Sequence, residues 1–286
     1  MTIPASVKID DLVYQEGPSG PLLARVYRPQ GAGPFPCLID VHGGGWGATD
    51  RLANAVIDEY LARAGIVVAA IDFRLSSEAR FPASVADTNL GIRWLKSMAH
   101  EFGSRLDLVG GLGSSSGGHQ LLLNVLRPAD PLYASLGRDR FAGIDASLKF
   151  AVACWPVADP WARYQMARQS NKEGLLRSHA AYWASDEEMK LGNPQLILER
   201  GEQTHLPPVL LMQGTADDNL TPDMAEHFGA AYRGAGGHTE LETFAGQPHA
   251  FVTRQPDSDA ATTALAMMAR FIKAHSGRMG PPGKTA

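Results

Sequence analysis

The sequence predicts an α/β fold, with a mostly parallel central sheet and helices on both faces. Two observations predict it. Residues 36–41 and 66–71 are short, almost wholly apolar runs, the pattern of strands covered on both faces. Runs of this kind alternate along the chain with stretches whose apolar residues recur every three or four positions, the period of an amphipathic helix. Strands alternating with helices build a mostly parallel sheet, and in such sheets the chemistry collects at the carboxyl ends of the strands.

Taken in order, residues 7–14 and 22–27 alternate as two half-buried strands, with Gly-Pro-Ser-Gly-Pro at 17–21 as the turn between them. Residues 36–41 form the first central strand. A helix is expected over 53–64, with Val56, Ile57, Tyr60 and Leu61 on one side, and a strand at 66–71. The next helix spans 85–102, with Leu90, Trp94, Leu95 and Met98 as its apolar stripe. A strand at 106–112, a helix at 116–126 and a strand at 150–155 follow. Residues 158–205 are polar, aromatic and poorly periodic in their middle, and this stretch is expected to be a cap inserted over the sheet. Beyond Leu206-Pro207-Pro208 come a strand at 209–213, a helix at 222–233, a strand at 240–244 and a helix at 260–275. Residues 276–286, with their Gly-Pro-Pro-Gly, are expected to be a flexible tail. No internal repeat is evident, and 286 residues suit one domain.

Hydrophobic residues make up 44% of the chain and the net charge is -4, so a sizeable core is expected and neither nucleic acid nor a membrane surface is indicated as a partner. The first residues lack the apolar run of a signal peptide, and no run approaches the roughly 18 residues that cross a bilayer. Cys37 and Cys154 each sit in an apolar stretch and are read as reduced, buried thiols of a cytoplasmic protein. The nine histidines show no metal-ligand spacing, so neither metal nor cofactor is expected.

Three glycine-rich or polar segments follow predicted strands. Gly113-Ser114-Ser115-Ser116-Gly117 ends one strand and opens a helix. A hydroxyl nucleophile needs a sharp, strained turn whose neighbours two residues either side are tiny, and only Ser115 has glycine at both places. His42-Gly43-Gly44-Gly45-Trp46 ends the first central strand. Acyl transfer builds negative charge on a carbonyl oxygen, and backbone N–H groups bared by glycine can stabilise it. The donors are assigned to Gly43 and Gly44, with a third from the N–H of Ser116. His42 is read as shaping this loop beside the substrate rather than as a base. Gln213-Gly214-Thr215-Ala216-Asp217-Asp218 follows another strand and offers two carboxylates, at least one of which is only a turn or helix-capping residue. His249, in a loop after the 240–244 strand, is the candidate base, because the order serine, aspartate, histidine along the chain is that of one large hydrolase class.

With these residues in view, the chain resembles α/β-hydrolases of the hormone-sensitive-lipase and bacterial carboxylesterase kind, from about residue 36 to residue 275. His42-Gly43-Gly44-Gly45, Gly113 with Ser115, Gly117 and Gly118, Gly214-Thr215-Ala216-Asp217 and His249-Ala250-Phe251 carry the likeness. So do Asp72-Phe73-Arg74-Leu75, Phe81-Pro82 and Asp87. The resemblance implies that the acid is Asp217, three residues after the glycine. Ser114 and Ser116 depart from the usual acidic residue and alanine around the nucleophile, and together with Gly43-Gly44-Gly45-Trp46 they look closer to a small-esterase branch that includes feruloyl esterase-like proteins.

The expected function is therefore a serine carboxylesterase acting on small to medium esters, with Ser115 as nucleophile, His249 as base and Asp217 as orienting acid. An amide hydrolase of the arylformamidase type, whose signature the His-Gly-Gly-x-Trp run also fits, or of the peptidase type is the alternative. A non-catalytic binding protein on the same fold is a remote one. The expected partner is a small-molecule ester, and a homodimer is left open. Trp155, Trp161, Tyr182 and Trp183 are expected to line the site as an apolar lid, with Trp46 on the opposite wall, which predicts a preference for short acyl groups.

Overall fold

The structure, a computed structural model, describes residues 6–17 and 19–277. The tail expected from 276 onward lies outside the described residues beyond Gly277, as does Pro18 of the expected turn.

Alternating residues make a hairpin first. β1 (Val7–Gly17) and β2 (Gly20–Pro29) pair antiparallel from Val7 opposite Pro29 to Gly17 opposite Gly20, with a register shift between Val13 and Gln15. Both strands run further than their apolar alternation suggested, because the ladder continues to the tight turn. The all-apolar runs are central, as their composition requires. β3 (Cys37–Val41), β4 (Val67–Ile71), β5 (Val109–Ser114), β6 (Ala151–Cys154) and β7 (Val209–Gly214) are buried at every residue. Full burial of each Leu, Ile or Val side chain here contributes roughly 1.5–3 kcal/mol. With β8 (Thr239–Phe244) the sheet has eight strands in the order β1-β2-β4-β3-β5-β6-β7-β8. β2 meets β1 and β4 antiparallel, and the pairings from β4 onward are parallel.

The helices are α1 (Ala55–Arg63), α2 (Ala83–Met98), α3 (Ser116–Leu126), α4 (Pro160–Gln169), α5 (Glu173–Tyr182), α6 (Asp186–Leu191), α7 (Pro194–Glu199), α8 (Met224–Gly234), α9 (Phe251–Arg254) and α10 (Asp259–His275). Packing separates α1, α9 and α10, which touch one another, from α2, α3, α7 and α8, which touch in succession. Cover from two groups is what strands buried on both faces need. Residues 106–108 form a short 3-10 turn rather than the start of β5, for Leu106 is 59% exposed and could not sit inside a covered strand. Among the described residues no helix is long and apolar enough to cross a membrane.

The irregular stretch between β6 and β7 holds four short helices. The starts of three of them are fixed by side chains that accept orphan N–H groups. Asp159 caps α4 through Ala162, Ser185 caps α6 through Glu188, and Asn193 caps α7 through Leu196. Asn193 also donates to Asp159 at 2.8 Å, tying α7 to α4. The Asp72-to-Asp87 segment is a scaffold of ion pairs. Arg74 grips Asp87 with Nε and Nη2 at 2.8 Å each, and Arg51 donates to Asp72. Cys37 and Cys154 are buried free thiols, their pKa values raised by burial.

Because β3, β5, β6, β7 and β8 are mutually parallel in register, their carboxyl ends share one edge. The segments leaving that edge begin at His42, Ser115, Trp155, Thr215 and Ala245.

Candidate active site

Ser115 sits between β5 and α3 with φ 53° and ψ -119°, a conformation that L-residues rarely adopt. Its neighbours make that turn feasible. A Cβ on Gly113 would lie 2.8 Å from the Gly117 carbonyl oxygen, and one on Gly117 would collide with the carbonyl oxygens of Val41 and His42. The Ser115 N–H donates to the Cys154 carbonyl at 3.0 Å. That bond leaves the Oγ at the head of α3 as the projecting group.

His249 meets it. Its Nε2 lies 2.9 Å from Ser115 Oγ, and its Nδ1 lies 2.7 Å from Asp217 Oδ2. An Nδ1–H donating to the carboxylate leaves Nε2 free to accept from the hydroxyl. Asp217 is itself held, its Oδ1 accepting the N–H groups of Asn219 at 2.9 Å and Leu220 at 3.2 Å. The loops carrying acid and base are fastened together by Ala216 N–H to the Gln247 carbonyl at 3.0 Å, an approach that a side chain at Gly214 would block. Asp218 instead has an 88% exposed side chain, 3.8 Å from Lys172.

The glycine loop lies alongside. A Cβ at Gly43 would stand 3.1 Å from Ser115 Cβ, so glycine is what lets this backbone approach the hydroxyl. Gly44 and Gly45 have φ of 110° and 61°. The loop is pinned by Trp46 N–H to Ser116 Oγ at 3.1 Å and, from α5, by Ser178 Oγ donating to the Gly45 carbonyl at 2.6 Å. Ser116 is the first residue of α3, where an N–H has no acceptor within the helix. Behind the nucleophile, Ser114 Oγ donates to Asn54 Oδ1 at 3.1 Å, and Asn54 Nδ2 reaches both oxygens of Asp40.

These groups open on a cavity of about 480 Å³ lined by Gly43, Gly44, Ser115, Trp155, Arg163, Asn219 and His249, together with Leu175, Ser178 and Arg254. Of the aromatic residues expected to face substrate, Trp155 does so, with φ 40° and its ring edge-on to His249. The others do not line this cavity. Trp46, at φ 63°, turns into the core, stacks on Tyr182 at 4.8 Å and donates its indole N–H to His119 Nδ1 at 3.2 Å. Tyr182 is fully buried with its hydroxyl 2.9 Å from Ser84 Oγ, and Trp183 packs on Phe81. Trp161 packs on Tyr164 and under Lys190. His42 is buried, stacks on Phe73 and donates Nδ1–H to the Gly43 carbonyl at 2.7 Å, which makes it a brace of the loop. Burial holds its pKa below the ordinary imidazole range. The expected aromatic lid is thus a packed cluster that fastens α5 to the glycine loop.

Two groupings escaped the sequence. Arg163, on α4, reaches the cavity and binds Asn219, two residues after Asp217. Nothing in its neighbourhood resembles a motif. His238, Glu240 and His275 bring ligand-type atoms within 4.8 Å of one another at the opposite end of β8, although no metal was expected from histidine spacing. The residues come from the start of β8, the position just before it and the end of α10, so no short spacing could reveal all three.

Comparison with known proteins adds to this picture. The BD-FAE family profile matches residues 25–231. The probable carboxylic ester hydrolase LipM of Mycobacterium tuberculosis is 27% identical over 195 residues, which are 66% of this chain and 43% of that protein. The versiconal hemiacetal acetate esterase of Dothistroma septosporum is 26% identical over 88% of this chain and 76% of its own. The chain spans half or less of the length of the first curated relatives it matches. Among solved structures, the propionate-bound thermophilic esterase Est2 of Thermogutta terrifontis superposes with a TM-score of 0.75 at 24% identity, covering 96% of this chain and 97% of that one. At that identity the likeness is one of fold, and the fold is that of the α/β-hydrolase esterases.

Proposed function

The chain belongs to the BD-FAE family, and from that premise we propose that it is a serine carboxylesterase cleaving small to medium carboxylic esters. One observation carries the reading. Ser115, His249 and Asp217 form a continuous hydrogen-bonded line at 2.9 and 2.7 Å, opening on a cavity beside a glycine loop.

In this reading Ser115 Oγ attacks the ester carbonyl carbon while His249 Nε2 takes the hydroxyl proton. Asp217 keeps Nδ1 protonated and stabilises the imidazolium. The carbonyl oxygen becomes an oxyanion facing the N–H groups of Gly43, Gly44 and Ser116, where losing a single donor costs roughly 3–4 kcal/mol of transition-state stabilisation. The C–O bond then breaks, His249 protonates the departing alkoxide, and the alcohol leaves an acyl-Ser115. Water, deprotonated by His249, attacks that acyl group, releases the carboxylic acid and restores Ser115. No cofactor enters these steps. Residues 158–205 act as a cap, with Arg163, Leu175 and Ser178 as its share of the cavity wall. The two buried free thiols fit a reducing compartment such as the cytoplasm.

The large apolar side chains of the cavity wall are Trp155 and Leu175, beside polar Asn219, Ser178 and two arginines. A wall of that kind favours short acyl groups, acetyl to hexanoyl, and the acetate and propionate in the names of two similar esterases agree with this. The test is kcat/KM on nitrophenyl acetate, butyrate, octanoate and palmitate, with N-formyl anilides as the amide arm. Activity should centre on the acetate and butyrate esters and vanish in Ser115→Ala. Highest efficiency on the palmitate ester overturns the short-acyl reading, and faster cleavage of the anilides overturns the ester reading.

A further inference from the structure

The Arg163 guanidinium is 2% exposed, lines the cavity that holds Ser115 and His249, and has only neutral partners. Its Nε donates to the Asn219 carbonyl at 3.0 Å, its Nη2 to Asn219 Oδ1 at 2.6 Å and its Nη1 to His179 Nε2 at 3.1 Å. Its Cζ lies 5.6 Å from the centre of the Trp46 ring. Each terminal nitrogen carries a second hydrogen, and neither of these has an acceptor among the described residues. The acid that influences it most is Asp217. That carboxylate is already committed to His249 and to the N–H groups of Asn219 and Leu220. Arg74 pairs with Asp87 and Arg51 with Asp11 and Asp72, while buried Arg93, which also donates only to neutral groups, does not line this cavity.

A buried cation without a counter-charge is costly, and the cost is offset when an anion arrives with matching geometry. Burial lowers the Arg163 pKa to about 10, so the group stays charged at neutral pH. His179 cannot take the counter-charge role. Burial and the adjacent guanidinium lower its pKa to about 3, leaving it neutral. The cavity wall supplies a second arginine, exposed Arg254, and neither an aspartate nor a glutamate.

Resting on the esterase reading above, we propose that the cavity selects esters that carry a free carboxylate, seated by Arg163 with Arg254 at the rim. The carboxylate can belong to the acyl half or to the alcohol half, and the two are separated by experiment. Monoethyl succinate against ethyl butyrate puts the charge on the acyl half. 4-Acetoxybenzoate against its methyl ester puts it on the alcohol half. Proton release in a pH-stat gives kcat/KM for each. In at least one pair the charged ester should be favoured about tenfold or more, and Arg163→Gln should bring that ratio to about one. Arg163→Lys, which keeps the charge, should retain part of the preference and serves if the glutamine variant does not fold. A ratio near one in both pairs overturns the proposal. So does an Arg163→Gln variant that loses charged and neutral substrates by the same factor, for that is the mark of a residue that merely holds the Asn219 turn. Calorimetry with Ser115→Ala protein reads the subsite without turnover. Succinate should bind and succinamide should not, and equal binding of the two contradicts the subsite. Turnover that survives in Ser115→Ala would instead sink the esterase reading, leaving this binding result to stand or fall alone.

Discussion

Asp217 and Asp218 are neighbours in the chain and opposites in environment. One carboxylate has no exposed side-chain surface and faces His249, while the other is 88% exposed beside Lys172. Asp217→Asn should therefore lower kcat by about four orders of magnitude, the scale seen when an orienting aspartate is removed from a serine protease. Asp218→Asn should change it little. Steady-state kinetics on a nitrophenyl ester gives the ranking, and a reversal would make Asp218 the acid. At this scale the sequence spoke clearly where chemistry restricts residue type. Ser115 was singled out by its two glycines, and His249 by its order in the chain. It was silent on side-chain direction. Trp46 follows three glycines and reads as a wall of the site, yet a left-handed backbone turns its ring inward onto Tyr182. Arg163 and Asn219 meet across 56 residues, and no local pattern announces such a pair.

The turn around Ser115 is the element under most constraint. Gly117, the second residue of α3, lies against the carbonyls of β3's last residue and the one after it, with no space for a methyl group. Gly117→Ala should cost about 2–3 kcal/mol or more, as forced overpacking does, and should move Ser115 away from His249. Thermal denaturation with ester turnover checks both, and an unchanged Tm together with unchanged kcat would contradict the elbow geometry. The sheet strands and the long helices were legible because burial on one or both faces imposes a period. α4 to α7 were not, because six- to ten-residue helices show too little of it. The starts of α4, α6 and α7 were written in another code: Asp159-Pro160, Ser185 with Glu188, and Asn193-Pro194 are capping signals.

Over the whole molecule, buried ionisable groups set how stability depends on pH. Asp40 and Asp58 are fully buried, and neither oxygen of Asp58 has a hydrogen-bond partner. Burial raises both pKa values, and for Asp58 the charge of Asp40 adds to it. A raised folded-state carboxyl pKa means that the stabilisation is present below the unfolded value near 3.8 and is lost as pH rises through the folded one. His119 has the opposite sign. Burial lowers its pKa to about 4, while its Nδ1 accepts from Trp46 and its Nε2–H donates to the Gly192 carbonyl. Between about pH 6.5 and pH 4 the unfolded chain takes up a proton that the fold refuses. Asp58→Asn should thus raise Tm relative to the parent, and more at pH 8 than at pH 5. Equal shifts at the two pH values would show that Asp58 takes up no proton on folding in this range, contradicting the raised carboxyl pKa.

The central claim is that the strained serine between β5 and α3 is an activated nucleophile, and covalent capture tests it most directly. A fluorophosphonate incubated with the protein, followed by peptide mass mapping, should give a single adduct on Ser115. The adduct should be absent in Ser115→Ala and should form far more slowly in His249→Ala. Label on Ser114 or Ser116, or labelling that persists in Ser115→Ala, would contradict the account.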